Sequence, residues 1–235
     1  MNYPIISADS HITEHPDTYT AYIDRKWRDR APHLVRSPER GDMFVIDGMD
    51  RPVFLGLLAA AGKAPEEINT QGVNFEDLHR GGWEPNARLL DQDRDGVAAE
   101  VIYPTVGMLL CNHKDFDYKQ ACFDAYNRWI AQYCGTHPAR LLGCGQTAGG
   151  SPAQMIEDFR RIKALGLRGV MMPGNPAQED YDHAIYDPVW EAAVELELPL
   201  SFHILTTRDP FRARGPKING FLAIIRGNQD IIGTL

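Results

Sequence analysis

Five short apolar runs, at residues 4–8, 98–103, 140–146, 167–172 and 198–204, set the strongest limit on what this chain can fold into. Each is apolar almost throughout, without strict polar alternation, as in strands buried on both faces. Helical patterns separate the later runs. Residues 118–134 carry Cys122, Phe123, Tyr126, Trp129, Ile130 and Tyr133 at helical spacing. Residues 152–165 follow Ser151, an N-cap residue, with proline at the first helical position, and Gly166 closes the helix. A further helix opens at Asp187-Pro188 and runs to about residue 196. Parallel strands need a crossover between them, so strand–helix alternation predicts a parallel α/β fold.

The first connection is different. Residues 12–96 are rich in polar and turn residues and read as an insertion or lid. Within it, residues 43–54 read as a small β-hairpin turning near Gly48, and residues 88–94 as a short helix leading into the second strand. At the other end, Phe221, Leu222, Ile224, Ile225, Ile231, Ile232 and Leu235 form an apolar helical face that runs to the last residue. A finished domain covers such a face. The expectation is one domain over residues 1–235, the N-terminal portion of a (β/α)8 TIM-type barrel, with five βα units present.

Composition narrows the partners. The formal charge is −8 and no Lys/Arg run appears; the nearest, residues 208–217, is short and broken by proline. Nucleic-acid binding is therefore not expected. No apolar run reaches the ~18 residues of a membrane span, and the N-terminus lacks the signature of a secretory signal. Cys111, Cys122, Cys134 and Cys144 form no C-x-x-C pair and read as reduced, buried thiols of a cytoplasmic protein.

The first strand ends in Ser7-Ala-Asp-Ser-His11, which puts Asp9 and His11 on one face. A carboxylate and an imidazole there make half of a divalent metal site, although an aspartate capping a turn gives the same pattern. The fifth strand ends in His203, which read alone is a core histidine. In a parallel barrel all strand C-termini open on one face, so Asp9, His11 and His203 are expected to converge. Three protein ligands leave an open position for water or substrate. Tyr103, Gln146 and His113 lie at or after other strand ends, and Arg208 follows the fifth; these are the candidate substrate contacts, with Arg208 suited to a carboxylate. Glu14 either reaches the site or serves a turn. No dinucleotide fingerprint, P-loop or nucleophile elbow competes.

Several blocks stand out: SADSHITE from Ser7, YIDRKWRDRAP ending at Pro32, VIDG from Val45 and RLLDQDRDGVAAEVIYPT from Arg88. AYNRW from Ala125, GLRGV from Gly166 and YDPVWEAAVELELPLSFH from Tyr186 complete the set, which spans essentially the whole chain. Together they resemble the amidohydrolase-related branch of the amidohydrolase superfamily, which includes aminocarboxymuconate-semialdehyde, resorcylate and carboxyvanillate decarboxylases. The resemblance implies a barrel with one divalent ion, zinc foremost or manganese, held by Asp9, His11 and His203. It implies hydrolase or carbon–carbon lyase chemistry on a small, carboxylated, aromatic or ring-derived compound, and a homo-oligomer. Aspartate stands first in the Asp9/His11 pair where the decarboxylases carry histidine or glutamate. The relatives' last metal ligand and catalytic histidine are expected beyond Leu235. The alternative is a catalytically incomplete barrel fragment that acts only by association through its open edges.

Overall fold

The computed structural model describes residues 3–58 and 60–207. Five strands form one parallel sheet in the order β1 (Ile5–His11), β5 (Val97–Tyr103), β6 (Leu141–Gln146), β7 (Gly169–Met172) and β8 (Leu200–Phe202). All five lie on the expected runs; β1 ends at His11 as expected, with the Asp9–His11 pair inside the strand, and β8 is shorter than its run.

The sheet is curled. Tyr103 on β5 donates its hydroxyl to Ser201 Oγ on β8 at 2.8 Å. Three strand spacings separate those strands, about 14 Å in a flat sheet. Contact between their side chains requires the sheet to fold round on itself, as half of a barrel does. Among the described residues β1 is an open edge, and Ile5 and Ile6 are 61% and 54% exposed.

Helices cover the convex face. α1 (Pro85–Asp95) is capped by Glu84, which accepts from Asn86 N and Ala87 N, and ends at Gly96 with φ +70°. α3 (Phe116–Gly135) starts where Asp115 accepts from Tyr118 N, and it buries Tyr118, Cys122, Tyr126 and Ile130 completely. α4 (Pro152–Ala164) is capped by Ser151 as expected. α5 (Asp187–Glu195) leads into β8, and the short α2 (Val106–Leu110) follows β5. Gly143 and Gly145 on β6 let the helices close in: a Cβ there would meet Cys134 Sγ at 2.9 Å and Ile162 Cγ1 at 2.7 Å. All four cysteines are buried and free, and burial pushes each thiol up to about 12, so they remain protonated.

The long first connection holds a three-stranded antiparallel sheet, β2 (His33–Ser37), β3 (Gly41–Val45) and β4 (Val53–Phe54). The expected hairpin is its β3–β4 half, with Met43 opposite Phe54. The sequence reading missed β2, whose HLVRS segment has little apolar pattern. Its pairing is secured by a charge: Arg36 makes two 2.8 Å bonds to the carboxylate of Asp42, which is buried. α1 falls inside residues 12–96 yet lies against β5, so it belongs to the barrel layer. The apolar segment 221–235 and Arg208 lie outside the described residues.

Ile102, next to the C-terminal end of β5, is fully buried. Ile102→Ala is expected to lower unfolding free energy by about 2–5 kcal/mol, read by urea denaturation.

Candidate metal centre

β1 and β8 lie at opposite edges of the parallel sheet, but their C-terminal ends meet across its concave side. His11 Nε2 and His203 Nε2 are 3.1 Å apart. Asp9 Oδ1 lies 3.3 Å from His11 Nε2 and 3.5 Å from His203 Nε2. Asp9 is the open member, 65% exposed, whereas His203 is only 14% exposed. The three residues that the sequence singled out at strand ends thus form one cluster.

Protons decide what this cluster can hold. His11 Nδ1 lies 3.0 Å from Pro104 O, and His203 Nδ1 lies 3.0 Å from Ile204 O. A carbonyl only accepts, so each Nδ1 carries the ring hydrogen. Both Nε2 atoms then present lone pairs to each other and to the Asp9 carboxylate. Three acceptors converge with no donor among them. Burial, and next the His203 imidazole, hold the His11 pKa below its ordinary 6.5, which keeps the ring neutral. A cation resolves this arrangement, and donors sharing a tetrahedral ion at about 2.1 Å stand about 3.4 Å apart. The observed edges of 3.1–3.5 Å fit such an ion. Backbone carbonyls that fix ligand tautomers are the usual outer support of a metal histidine.

Other candidates separate into near and far. Tyr103 borders the cluster, its ring centroid 6.0 Å from that of His11 and 5.7 Å from that of His203. Burial raises its phenol pKa, so it stays a neutral donor. His113 sits elsewhere: it is buried, and Nε2 bonds Asp47 O at 2.8 Å, tying the β3–β4 region to α2. Gln146 is fully buried, with Nε2 on Gly107 O and its backbone N–H on Asn127 Oδ1. His113 Nε2 and Gln146 Nε2 serve backbone carbonyls, Gln146 Oε1 is buried without a hydrogen-bond partner among the described residues, and neither residue joins the cluster. Arg208 lies outside the described residues.

Glu14 serves a turn. It is fully buried, and Oε1 accepts from Thr105 N at 3.0 Å and Gly107 N at 3.1 Å, stitching the end of β1 to the start of α2. Four polar residues that hold β1 in place escaped the sequence reading: Ser7, Ser10, Arg88 and Glu100. The available signal was a charge in an apolar setting, Glu100 within VAAEVIY and Arg88 on the inner face of α1.

A model of the amidohydrolase family matches residues 76–220, more than half of the chain. The chain belongs to the amidohydrolase family. The 2-amino-3-carboxymuconate-6-semialdehyde decarboxylase of Dictyostelium discoideum is 27% identical over 139 residues, covering 56% of this chain and 37% of that protein. The crystal structure of an amidohydrolase from Mycobacterium avium subsp. paratuberculosis K-10 superposes with a TM-score of 0.67 at 22% identity, covering 87% of this chain and 59% of that one. A 5-carboxyvanillate decarboxylase from Novosphingobium aromaticivorans DSM 12444, solved with bound manganese and 3-methoxy-4-hydroxy-5-nitrobenzoic acid, gives 0.55 at 20% identity, over 89% and 53%. At these identities the structural matches establish the fold, a partial (β/α)8 barrel. The chain spans between a third and three fifths of these relatives' lengths.

Burial raises the Glu14 carboxyl from its ordinary 4.5 to about 7. The folded state therefore favours the protonated form, and its stability contribution, complete below pH 4.5, is lost as pH rises to about 7. Glu14→Gln is expected to flatten the fall in stability across that interval, by up to about 3 kcal/mol. Chemical denaturation at several pH values checks this; parallel curves for both proteins would refute it.

Proposed function

We propose that this chain carries the first part of the active site of a metal-dependent amidohydrolase-type enzyme acting on a small, carboxylated, aromatic or ring-derived compound. The observation that carries this reading is the convergence of Asp9 Oδ1, His11 Nε2 and His203 Nε2 with no donor among them. These three residues would hold one divalent ion, zinc or manganese, whose donor preferences both match two imidazoles and a carboxylate. Such an ion supplies Lewis acidity, polarising a bound oxygen and neutralising a substrate carboxylate.

The chain's own groups prepare the ground. The Pro104 and Ile204 carbonyls keep both Nδ1 atoms protonated, so neither imidazole has to lose a proton from Nε2 before it can act as a ligand. Tyr103, held by Ser201 and neutral, offers an aromatic wall for a flat ring beside the cluster. Arg208, in the segment after Thr207, is the proposed bidentate partner of a substrate carboxylate. The long first connection is the proposed lid. Relatives named as decarboxylases support carbon–carbon bond cleavage, in which carbon dioxide leaves and a proton takes its place on the ring carbon. Hydrolysis at the same ion is the alternative within this class.

A second reading rests on the open edge of β1, with Ile5 and Ile6 exposed. On it, the chain is a partial barrel that acts through association and catalyses nothing by itself. Elemental analysis separates the two. About one zinc or manganese per purified chain, lost in His203→Ala, is expected for the enzyme reading. Absence of metal from the unmodified chain would favour the fragment. With metal loaded, carbon dioxide release from hydroxylated benzoates tests the lyase version; no release from any of them would leave hydrolysis.

A further inference from the structure

We infer that Arg88 and Glu100, with Ser10, form a positioning set that locks a bulge in β1 and so aims Asp9 and His11 into the barrel mouth. The inference goes beyond the metal-centre reading and rests on it only for the consequence to metal binding.

The pairing of β1 with β5 is irregular. Ser7 stands opposite Glu100 and Ser10 opposite Ile102, so β1 advances three residues while β5 advances two. One extra residue is therefore accommodated in β1, within the segment that contains Asp9. A strand alternates its faces, so residues three apart normally point to opposite sides. Ser7 and Ser10 do not: their Oγ atoms are 2.8 Å apart. The bulge has brought Ser7 to the outer face beside Ser10, while Asp9 and His11, two apart, share the inner one. Without the extra residue the two serines would be split between faces, and the Asp9–His11 pair would share the face of Ser7.

Among the described residues this bulged strand has β5 as its one neighbour in the sheet. Side chains on the outer face supply the missing constraint. Glu100 accepts from Ser10 Oγ at 3.2 Å, from Gln92 Nε2 at 2.8 Å and from Arg88 Nε at 3.1 Å. Arg88 then reaches past Glu100, and its Nη2 donates to the carbonyl of His11 at 2.6 Å. One guanidinium thus joins the carboxylate that pins Ser10 to the backbone of the metal-site histidine. Arg88 and Gln92 are buried on α1, so the anchor is fixed to a helix of the barrel layer. On the far side, Thr105 Oγ1 donates to Ile12 O at 2.7 Å and marks the end of the locked segment.

The planar fork is what the arrangement needs. A lysine at position 88 keeps the positive charge beside Glu100 but places one ammonium where two separated donors are required. Arg88→Lys is therefore expected to fold and to loosen β1. Ser10→Ala removes one peg with no buried charge disturbed, and it keeps the test informative if Arg88→Lys fails to fold.

The experiment measures hydrogen exchange of the segment 7–14 in the metal-free chain, and cobalt(II) affinity by its visible absorption. Unmodified protein, both variants and His203→Ala are compared, with thermal melts as the check on folding. Both folded variants should exchange faster in 7–14 than the unmodified chain, with β6 and β7 unchanged. Arg88→Lys should bind cobalt roughly 10–100-fold more weakly, as expected for loss of an outer-shell support, with a smaller loss in Ser10→Ala. Unchanged exchange in 7–14 and unchanged cobalt affinity in folded variants would overturn the inference. Faster exchange in the variants of a chain that binds no cobalt even when unmodified would defeat the metal-centre reading and leave the bulge lock standing.

Discussion

Curling of the parallel sheet is the constraint on which everything else depends. β1 and β8 lie four strand spacings apart, about 19 Å if the sheet were flat. Their histidines nevertheless approach to 3.1 Å. Parallel strands twist against one another with a fixed hand, and accumulated twist with stagger bends the sheet into a barrel wall. The concave side then becomes a small space into which opposite strands project the same kind of side chain. Tyr103 and Ser201 meet there one layer below the cluster. The helices on the convex side make this curvature affordable, because Gly143 and Gly145 let α3 and α4 press close to β6.

At the top of that space, polar atoms are arranged from outside inward. Backbone carbonyls of Pro104 and Ile204 take the Nδ1 hydrogens, and the Nε2 lone pairs are left facing the Asp9 carboxylate. Glu14 ties the loop after β5 to the end of β1 through two backbone N–H groups, which steadies the loop that carries Pro104. Each support acts on backbone and fixes where a ligand atom points. Membership of the amidohydrolase family gives this arrangement its chemical context, since the family match covers residues 76–220 and includes β5 to β8.

Much of the fold was legible in the sequence because a parallel strand buried on both faces leaves a run of apolar residues that few other structures produce. Helix starts were legible for a local reason: Ser151-Pro152 and Asp187-Pro188 satisfy or remove N–H groups that a helix leaves open. β2 was not legible, because HLVRS carries little apolar pattern and its pairing with β3 is secured by an ion pair, Arg36 with Asp42, formed across a turn. The candidate metal ligands were visible as polar groups at strand ends. His113 and Gln146 shared that placement, and only the structure distinguished them, by turning each Nε2 to a backbone carbonyl, of Asp47 and of Gly107, apart from the cluster.

The sequence by itself determined the layer order, the parallel sheet and the identity of the three converging donors, because periodicity and strand-end placement are local properties. The tertiary structure alone decided that these donors lie within bonding distance of one ion, since that distance depends on curvature summed over five strands. It also decided their orientation. The phase of β1 is set by a bulge pinned from Glu100, ninety residues later than Ser10, and a contact over such a separation exists only when the chain has folded.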